Sequence, residues 1–339
     1  MDVDFDILSS PPHERAPTAV GIGVFDGVHL AHRKLIDHVV GAARSTGCAP
    51  CILTFCPHPE EALTGRQVPH LTTLEERLAL IASHGVTRCA VARFSEEFSR
   101  LTPEVFAREV LVHRLDARAV VVGFNFRFGH HGAGTVETLG KLGRRLGFEV
   151  TVMGPIQIAD QTVSSSAIRS ALGHGQVELA ATMLGRPYAL VGMVAPGAGR
   201  GHRLGFPTAN LQVDPARVVV PRPGVYCGVA RPAGGEHYPA LVNVGIRPTF
   251  EGDRGALIPE VYLHGFSGTL AGRSLAMLFQ ERLRDEVRFP SADALVVQLQ
   301  ADLDQLRLRI SRGDYQRWLG WAADGPAARL EPPGRLDHP

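Results

Sequence analysis

The segment Gly21-Ile22-Gly23-Val24-Phe25-Asp26-Gly27-Val28-His29-Leu30-Ala31-His32 leaves the chain few options. An apolar, strand-like run from Thr18 to Phe25 breaks at Asp26-Gly27. From His29 the spacing turns helical. Leu30, Leu35, Ile36, Val39 and Val40 fall on one face, and Arg33, Lys34 and Asp37 fall outside it. A tight turn thus delivers His29 and His32, which share a face, into the first turn of a helix. Unpaired N–H groups and the positive dipole end at that position suit an anion such as a phosphate. Two surface histidines near a turn would be the ordinary account of the pair alone; the strand–turn–helix setting favours an anion site.

The first half repeats that grammar. Cys51–Phe55 predicts a second strand, which ends in Pro57-His58-Pro59. Leu71–Ile81 is amphipathic, with Thr72 or Thr73 as cap and acids in its first turn. Cys89–Phe94 predicts a strand, and Thr102-Pro103-Glu104 opens another helix. The continuously apolar Ala119–Val122 suits a parallel strand buried on both faces. It empties into the glycine-rich run from Gly123 to Gly134, where Asn125 and Arg127 supply polar contacts. Phe148–Val152 predicts a fifth strand, and Val163–Leu172 a helix opened by Ser164, Ser165 and Ser166, with Arg169 one turn inside. One serine would be an N-cap; three with an arginine make a convergent anion site. Alternating strands and helices predict a doubly wound parallel sheet with its chemistry at the carboxyl ends of the strands.

Composition shifts near Gly185-Arg186-Pro187, which places domains at 1–185 and 186–322, followed by a disordered tail at 323–339 rich in Ala, Gly and Pro. In the second domain, short β-branched runs (Tyr188–Val194, Val225–Ala230, Ala240–Val244, Pro259–Leu263) separated by glycine and proline predict a compact antiparallel barrel. The loop Gly197–Gly201 with Arg200 and Arg203 can cradle phosphates, while Thr208 and Asn210 offer oxygens to a hard cation such as Mg²⁺. A helix from about Ser291 to Arg309 carries an apolar stripe (Leu295, Leu299, Leu303, Leu306) that should pack on the barrel.

At 339 residues, 45% apolar and 20% charged, the chain has room for about two domains. A net charge of +1 gives no argument for a nucleic-acid or acidic-membrane partner. No uninterrupted apolar stretch reaches the ~18 residues of a membrane span, and the acidic opening lacks a signal-peptide core. A cytoplasmic location is the default expectation. Five cysteines, including the pair Cys48 and Cys51, fit buried thiols in a reducing compartment better than disulfides or a metal site.

The run Gly23–His32 resembles the flavin-specific form, GVFDGVHxGH, of the HxGH nucleotidyltransferase signature, with Ala31 in place of glycine. The segment Pro57-His58-Pro59 is similar to FDPHP with Cys56 for the acid. Gly123–Gly129 is similar to VGxNFxFG, and Ser164–Arg169 to SSTxxR. Gly201–Asn210 resembles the riboflavin kinase signature GxxLGFPTAN, and Asn243–Thr249 its NxGxRPT segment. Together they resemble the bacterial bifunctional riboflavin kinase and FMN adenylyltransferase family from about Val20 to Arg309.

That resemblance implies a Rossmann-like domain that adenylylates FMN to FAD, and a barrel that phosphorylates riboflavin to FMN, both from ATP with Mg²⁺. It implies catalytic roles for His29, His32 and Glu260. ATP or phosphate contacts would come from Gly23, Phe25, Asp26, Asn125, Ser164, Ser165 and Arg169. In the kinase, Gly199, Arg200, Gly205, Pro207, Asn243 and Arg284 would bind ATP or flavin, with Thr208 and Asn210 on the metal. Partners are then small molecules (riboflavin, FMN, ATP), and oligomeric state is open. Ala31, Cys56 and Gly265, where the pattern departs, leave alternatives: a paralogue with one activity or an altered flavin, or a non-catalytic flavin- or nucleotide-binding regulator.

Overall fold

A computed structural model describes residues 1–8, 16–195, 205–247 and 256–324. The chain divides into two compact units, Met1–Ser165 and Ser166–Pro339.

The first unit is a parallel sheet in the order β1–β4–β3–β2–β5–β6, formed by β1 (Asp2–Phe5), β2 (Thr18–Ile22), β3 (Ala49–Cys56), β4 (Arg88–Arg93), β5 (Ala117–Gly123) and β6 (Glu149–Met153). Helices cover both faces, as the alternation predicts. On one face α1 (Leu30–Thr46) contributes Leu35, Ile36, Val39 and Val40, and a later helix contributes Leu80 and Ile81, against Ala19, Ile52, Val91 and Val121. On the other, Phe106, Val110, Leu111, Leu139 and Leu142 pack on Val20, Leu53, Val120 and Val122. β2 is buried throughout. Its Gly21 is where α1 lies closest: a Cβ there would fall 2.8 Å from side-chain carbons of Ile52 and Leu35. Strand order reverses between β2 and β5, and the crevice outside such a switch point is where ligands bind in open α/β sheets.

The remaining helices of this unit are α2 (Pro59–Thr64), α3 (Leu74–Ser83), α4 (Glu96–Ser99), α5 (Pro103–Val105), which continues as a π-helix over Phe106–Arg114, and α6 (Val136–Leu146). β7 (Gln157–Ile158) and β8 (Gln161–Thr162) form a small hairpin before α7 (Ser165–Gly173).

In the second unit α8 (Val177–Leu184) precedes a closed antiparallel barrel in the order β10–β13–β12–β11–β14–β9. Its strands are β9 (Tyr188–Ala195), β10 (Thr208–Gln212), β11 (Gly224–Pro232), β12 (Tyr238–Arg247), β13 (Ala256–Leu263) and β14 (Ser274–Arg284). Helices α9 (Ala292–Ser311) and α10 (Asp314–Asp324) lay Leu303, Leu306 and Trp318 on Cys227, Val229, Leu241 and Leu278. Two expectations shift. Gly185 is the left-handed cap that ends α8, with φ 70°, and α8 packs on β14 and β9, so the composition change falls later than the division between units. α10 continues through Asp324, the start of the expected tail; 325–339 lie outside the described residues.

Candidate active sites

The first site begins where β2 ends. His29 is the N-cap of α1, and its Nδ1 accepts a hydrogen bond from the His32 amide at 3.4 Å. An accepting Nδ1 fixes the neutral tautomer with its proton on Nε2. The two imidazoles stack with centroids 3.6 Å apart, and His32 tilts against the Phe25 ring at 5.0 Å. The Nδ1 of His32 is buried and has no hydrogen-bond partner among the described residues. Burial, then His29, then Arg77 hold the His32 imidazole well below the usual histidine range. At neutral pH it is therefore an uncharged hydrogen-bonding group.

The turn that carries this pair is strained and heavily tethered. Phe25 and Val28 sit at φ 56° and 39°, a region costly for side chains with a Cβ, above all a β-branched one. Asp26, 1% exposed, accepts hydrogen bonds from the amides of Leu71 and Thr72 and from the Thr72 hydroxyl at 3.3 Å. Thr72 Oγ1 in turn accepts from the Gly27 amide at 3.0 Å. Arg77, 4% exposed, places its guanidinium 3.8 Å from the Asp26 carboxylate. Thr54 Oγ1 donates to the Val24 carbonyl, and Ser165 Oγ donates to the Asp26 carbonyl at 2.9 Å.

Asp26 and Phe25 are buried supports of the turn. Gly23 is half-buried, and a Cβ there would come 3.2 Å from the Phe25 ring. Thr73 takes the cap of α3 in a capping box with Glu76, which leaves Thr72 for Asp26. Sequence reasoning passed over Thr72 and Arg77 as supports of the Asp26 turn. The box spacing Thr73–Glu76 was the available clue, since it makes Thr72 the surplus hydroxyl.

At the same end of the sheet, the loop after β5 is held by Phe124 N to the Met153 carbonyl, Phe126 N to the Gly123 carbonyl, and a two-way backbone bridge between Phe128 and Gly134. Exposed Asn125 and Arg127, with Phe124, Phe126, Thr135, Val136 and Glu137, line a cavity of about 340 Å³. Ser164 is half-buried just ahead of α7, and Arg169 lies one helical turn beyond Ser165 on the same face of that helix. His58 caps α2 through its Nδ1. The five cysteines are free, burial pushes the Cys56 thiol up, and the described residues contain no cluster of three His, Cys, Asp or Glu fit for a metal.

In the barrel, register does the assembling. Asn210 of β10 is directly opposite Glu260 of β13, and Glu260 is directly opposite Asn243 of β12. Such partners have Cβ atoms about 5 Å apart on one face, and Thr208, two residues from Asn210, shares that face. The alternate residues Ala209, Val242, Val244 and Val261 are buried, so the polar row has a rigid backing. Gly205, at φ 78°, and Pro207 are exposed just before β10. Gly199, Arg200 and Arg203 of the expected phosphate loop, and Thr249, lie outside the described residues. The guanidinium of Arg284 grips Asp302 through Nε at 2.9 Å and Nη2 at 2.6 Å, tying β14 to α9. Hydroxyl, amide and carboxylate oxygens from Thr208, Asn210 and Glu260 are a hard, sparse donor set. That suits Mg²⁺, which retains waters and phosphate oxygens in its shell.

Fold and sites define a two-module nucleotide-handling protein, a doubly wound α/β unit followed by a β-barrel. A family model for FAD synthetase matches residues 12–167, and one for riboflavin kinase matches residues 184–310. The chain is 36% identical over 292 residues to a bifunctional riboflavin kinase/FMN adenylyltransferase of Listeria monocytogenes, covering 85% of this chain and 91% of that one. It is 35% identical over 296 residues to the protein of the same description from Escherichia coli K12, covering 87% and 93%. The chain belongs to the bifunctional riboflavin kinase/FMN adenylyltransferase family. It is also similar to a crystal structure from Streptococcus pneumoniae described as a macrolide-efflux protein, with TM-score 0.82 and 29% identity over 91% of this chain and 99% of the other. Among the described residues no helix is long and apolar enough to cross a membrane.

Proposed function

We propose that the chain makes FAD from riboflavin in two ATP-dependent steps, one in each unit. In the barrel, Glu260 takes the proton of the riboflavin 5′-hydroxyl as that oxygen attacks the γ-phosphorus of ATP, and ADP leaves. Thr208 and Asn210 would hold Mg²⁺, which when bound would offset charge on the phosphate oxygens. Asn243, beside Glu260, orients the reacting groups.

In the α/β unit, a phosphate oxygen of FMN attacks the α-phosphorus of a second ATP, and pyrophosphate leaves. No covalent enzyme intermediate is required. The step needs alignment and charge stabilisation, supplied by the N–H groups at the start of α1, by His29 through its Nε2 proton, and by His32. Ser164, Ser165 and Arg169 serve the phosphates, and Asn125 contacts substrate from its loop.

What supports this reading is that each unit gathers its own cluster suited to phosphate: the stacked His29 and His32 imidazoles at the start of α1 in one, and the Asn210–Glu260–Asn243 row in the other. Incubation with riboflavin, ATP and Mg²⁺, resolved by chromatography, should yield FMN and then FAD, and neither without Mg²⁺. FMN alone would leave only the kinase; neither product, with flavin bound, would make the protein a regulator.

A further inference from the structure

We propose that the barrel residues Tyr226 and Arg282, with Gly175, are positioning residues for adenylyl transfer: they clamp the far end of α7, the helix that carries Ser165 and Arg169. The inference rests on the functional reading above.

α7 buries Ile168, Ala171 and Leu172, and its two ends are held by different groups. At the first, Ser165 Oγ donates to the Asp26 carbonyl at 2.9 Å. At the last, the Leu172 carbonyl accepts from Gly175 N at 2.9 Å and from Arg222 N, on the segment entering β11, at 3.0 Å. The final carbonyls of a helix have no donor within it, and here the chain beside the barrel supplies one. Arg222 is itself fixed, because the Tyr226 hydroxyl donates to its carbonyl.

The turn after α7 lies directly on Arg282. Gly175 is at φ 78°, and a Cβ there would fall 2.6 Å from Arg282 Nε, 2.9 Å from its Cδ and 3.2 Å from the Tyr226 hydroxyl. Backbone and space both demand glycine. Arg282 is not at liberty to swing aside. Its Nη2 donates to the Pro223 carbonyl at 3.1 Å and to Asp285 at 2.6 Å, and its guanidinium stands 5.8 Å from the centre of the Tyr226 ring. Its backbone N–H donates to Glu178 Oε1, in the first turn of α8, at 2.9 Å. None of these groups belongs to the Thr208–Asn210–Asn243–Glu260 row, so what they hold is α7. A helix is rigid along its length, and a displacement of about 1 Å at the clamp is passed on to Arg169, enough to spoil a reacting geometry.

Gly175→Ala should lower kcat for FMN-to-FAD conversion by about 10- to 100-fold, with riboflavin phosphorylation by the same chain unchanged. Tyr226→Phe, which removes one hydroxyl and keeps the ring, should lower it by about 2- to 10-fold. The deciding measurement is a double-mutant cycle with Arg169→Ala. Because the clamp acts through α7, Gly175→Ala should add less than about threefold to the loss that Arg169→Ala already causes. Losses that multiply in full, or a fall in phosphorylation that parallels the fall in adenylylation, would overturn the proposal. Should Gly175→Ala not fold, Tyr226→Phe decides in the same cycle. A wild-type chain that makes no FAD would overturn the functional reading and this proposal with it; wild-type FAD synthesis with fully multiplying losses would overturn this proposal alone.

Discussion

The α/β unit concentrates its candidate reactive groups in one stretch, Gly23–His32, and recruits distant residues to hold that stretch in shape. Leu71, Thr72, Arg77 and Ser165 all act on the turn around Asp26. The barrel does the opposite. Thr208, Asn210, Asn243 and Glu260 are scattered along the sequence, and strand register alone brings them into one row. A site aimed by tethers fails gradually as tethers are cut. A site aimed by register is insensitive to single supports, because a closed sheet fixes every strand against two neighbours.

The largest effect should come from removing a reacting group. Glu260→Gln should cut FMN formation by about 10²- to 10⁴-fold while FMN-to-FAD conversion continues, and His29→Ala should do the reverse. Equal losses of both activities in either variant would break the division between units. Next, Asp302→Ala strips Arg284 of its buried partner, and hydrogen bonds to charged groups contribute about 1.5–3 kcal/mol each. The barrel's calorimetric transition should fall by about that amount, with the first unit's transition in place. If kcat of the kinase changed more than stability, Arg284 would belong to the site after all.

A smaller effect is pH-dependent and confined to the first unit. His32 is held below the ordinary histidine value of about 6.5. Its contribution to stability is therefore complete above that value and is lost as pH falls through the folded-state midpoint, because the unfolded chain then binds the extra proton. Adenylylation should persist below pH ~6.5; an acid limb at the ordinary value would show His32 to be unperturbed. Smallest of all is Ala31→Gly. Ala31 lies inside α1 and is not among the positive-φ residues, so glycine relieves no strain there. The substitution should cost about 0.5–1 kcal/mol and leave the rate within about threefold, which a thermal melt and initial rates would check.

Much of this was legible beforehand because local pattern and tertiary role coincide. The strand–turn–helix at Gly21–His32, the buried β5 and the short barrel strands each announce themselves by periodicity. Other parts did not. β1 alternates Asp-Val-Asp-Phe at an edge, and its charges read as a polar terminus until β4 pairs with it. β14 ends in Gln280-Glu281-Arg282-Leu283-Arg284, whose charges look like loop but are occupied by Arg309, Asp285 and Asp302 once the barrel closes. The Arg284 ion pair was hidden for the same reason, since its partner Asp302 lies on a helix that only tertiary folding supplies. Thr72 and Arg77 escaped because their targets are across the fold.

The hydrogen bond from Ser165 to the Asp26 carbonyl spans 139 positions. On the ribosome the histidine turn emerges early, but its latch arrives only after the rest of the parallel sheet has been synthesised. A nascent chain stopped short of Ser165 would lack this last tether while already carrying those from Thr54, Leu71 and Thr72. The enzyme therefore completes this pocket late in translation, when the sheet that supports it is already available to fold.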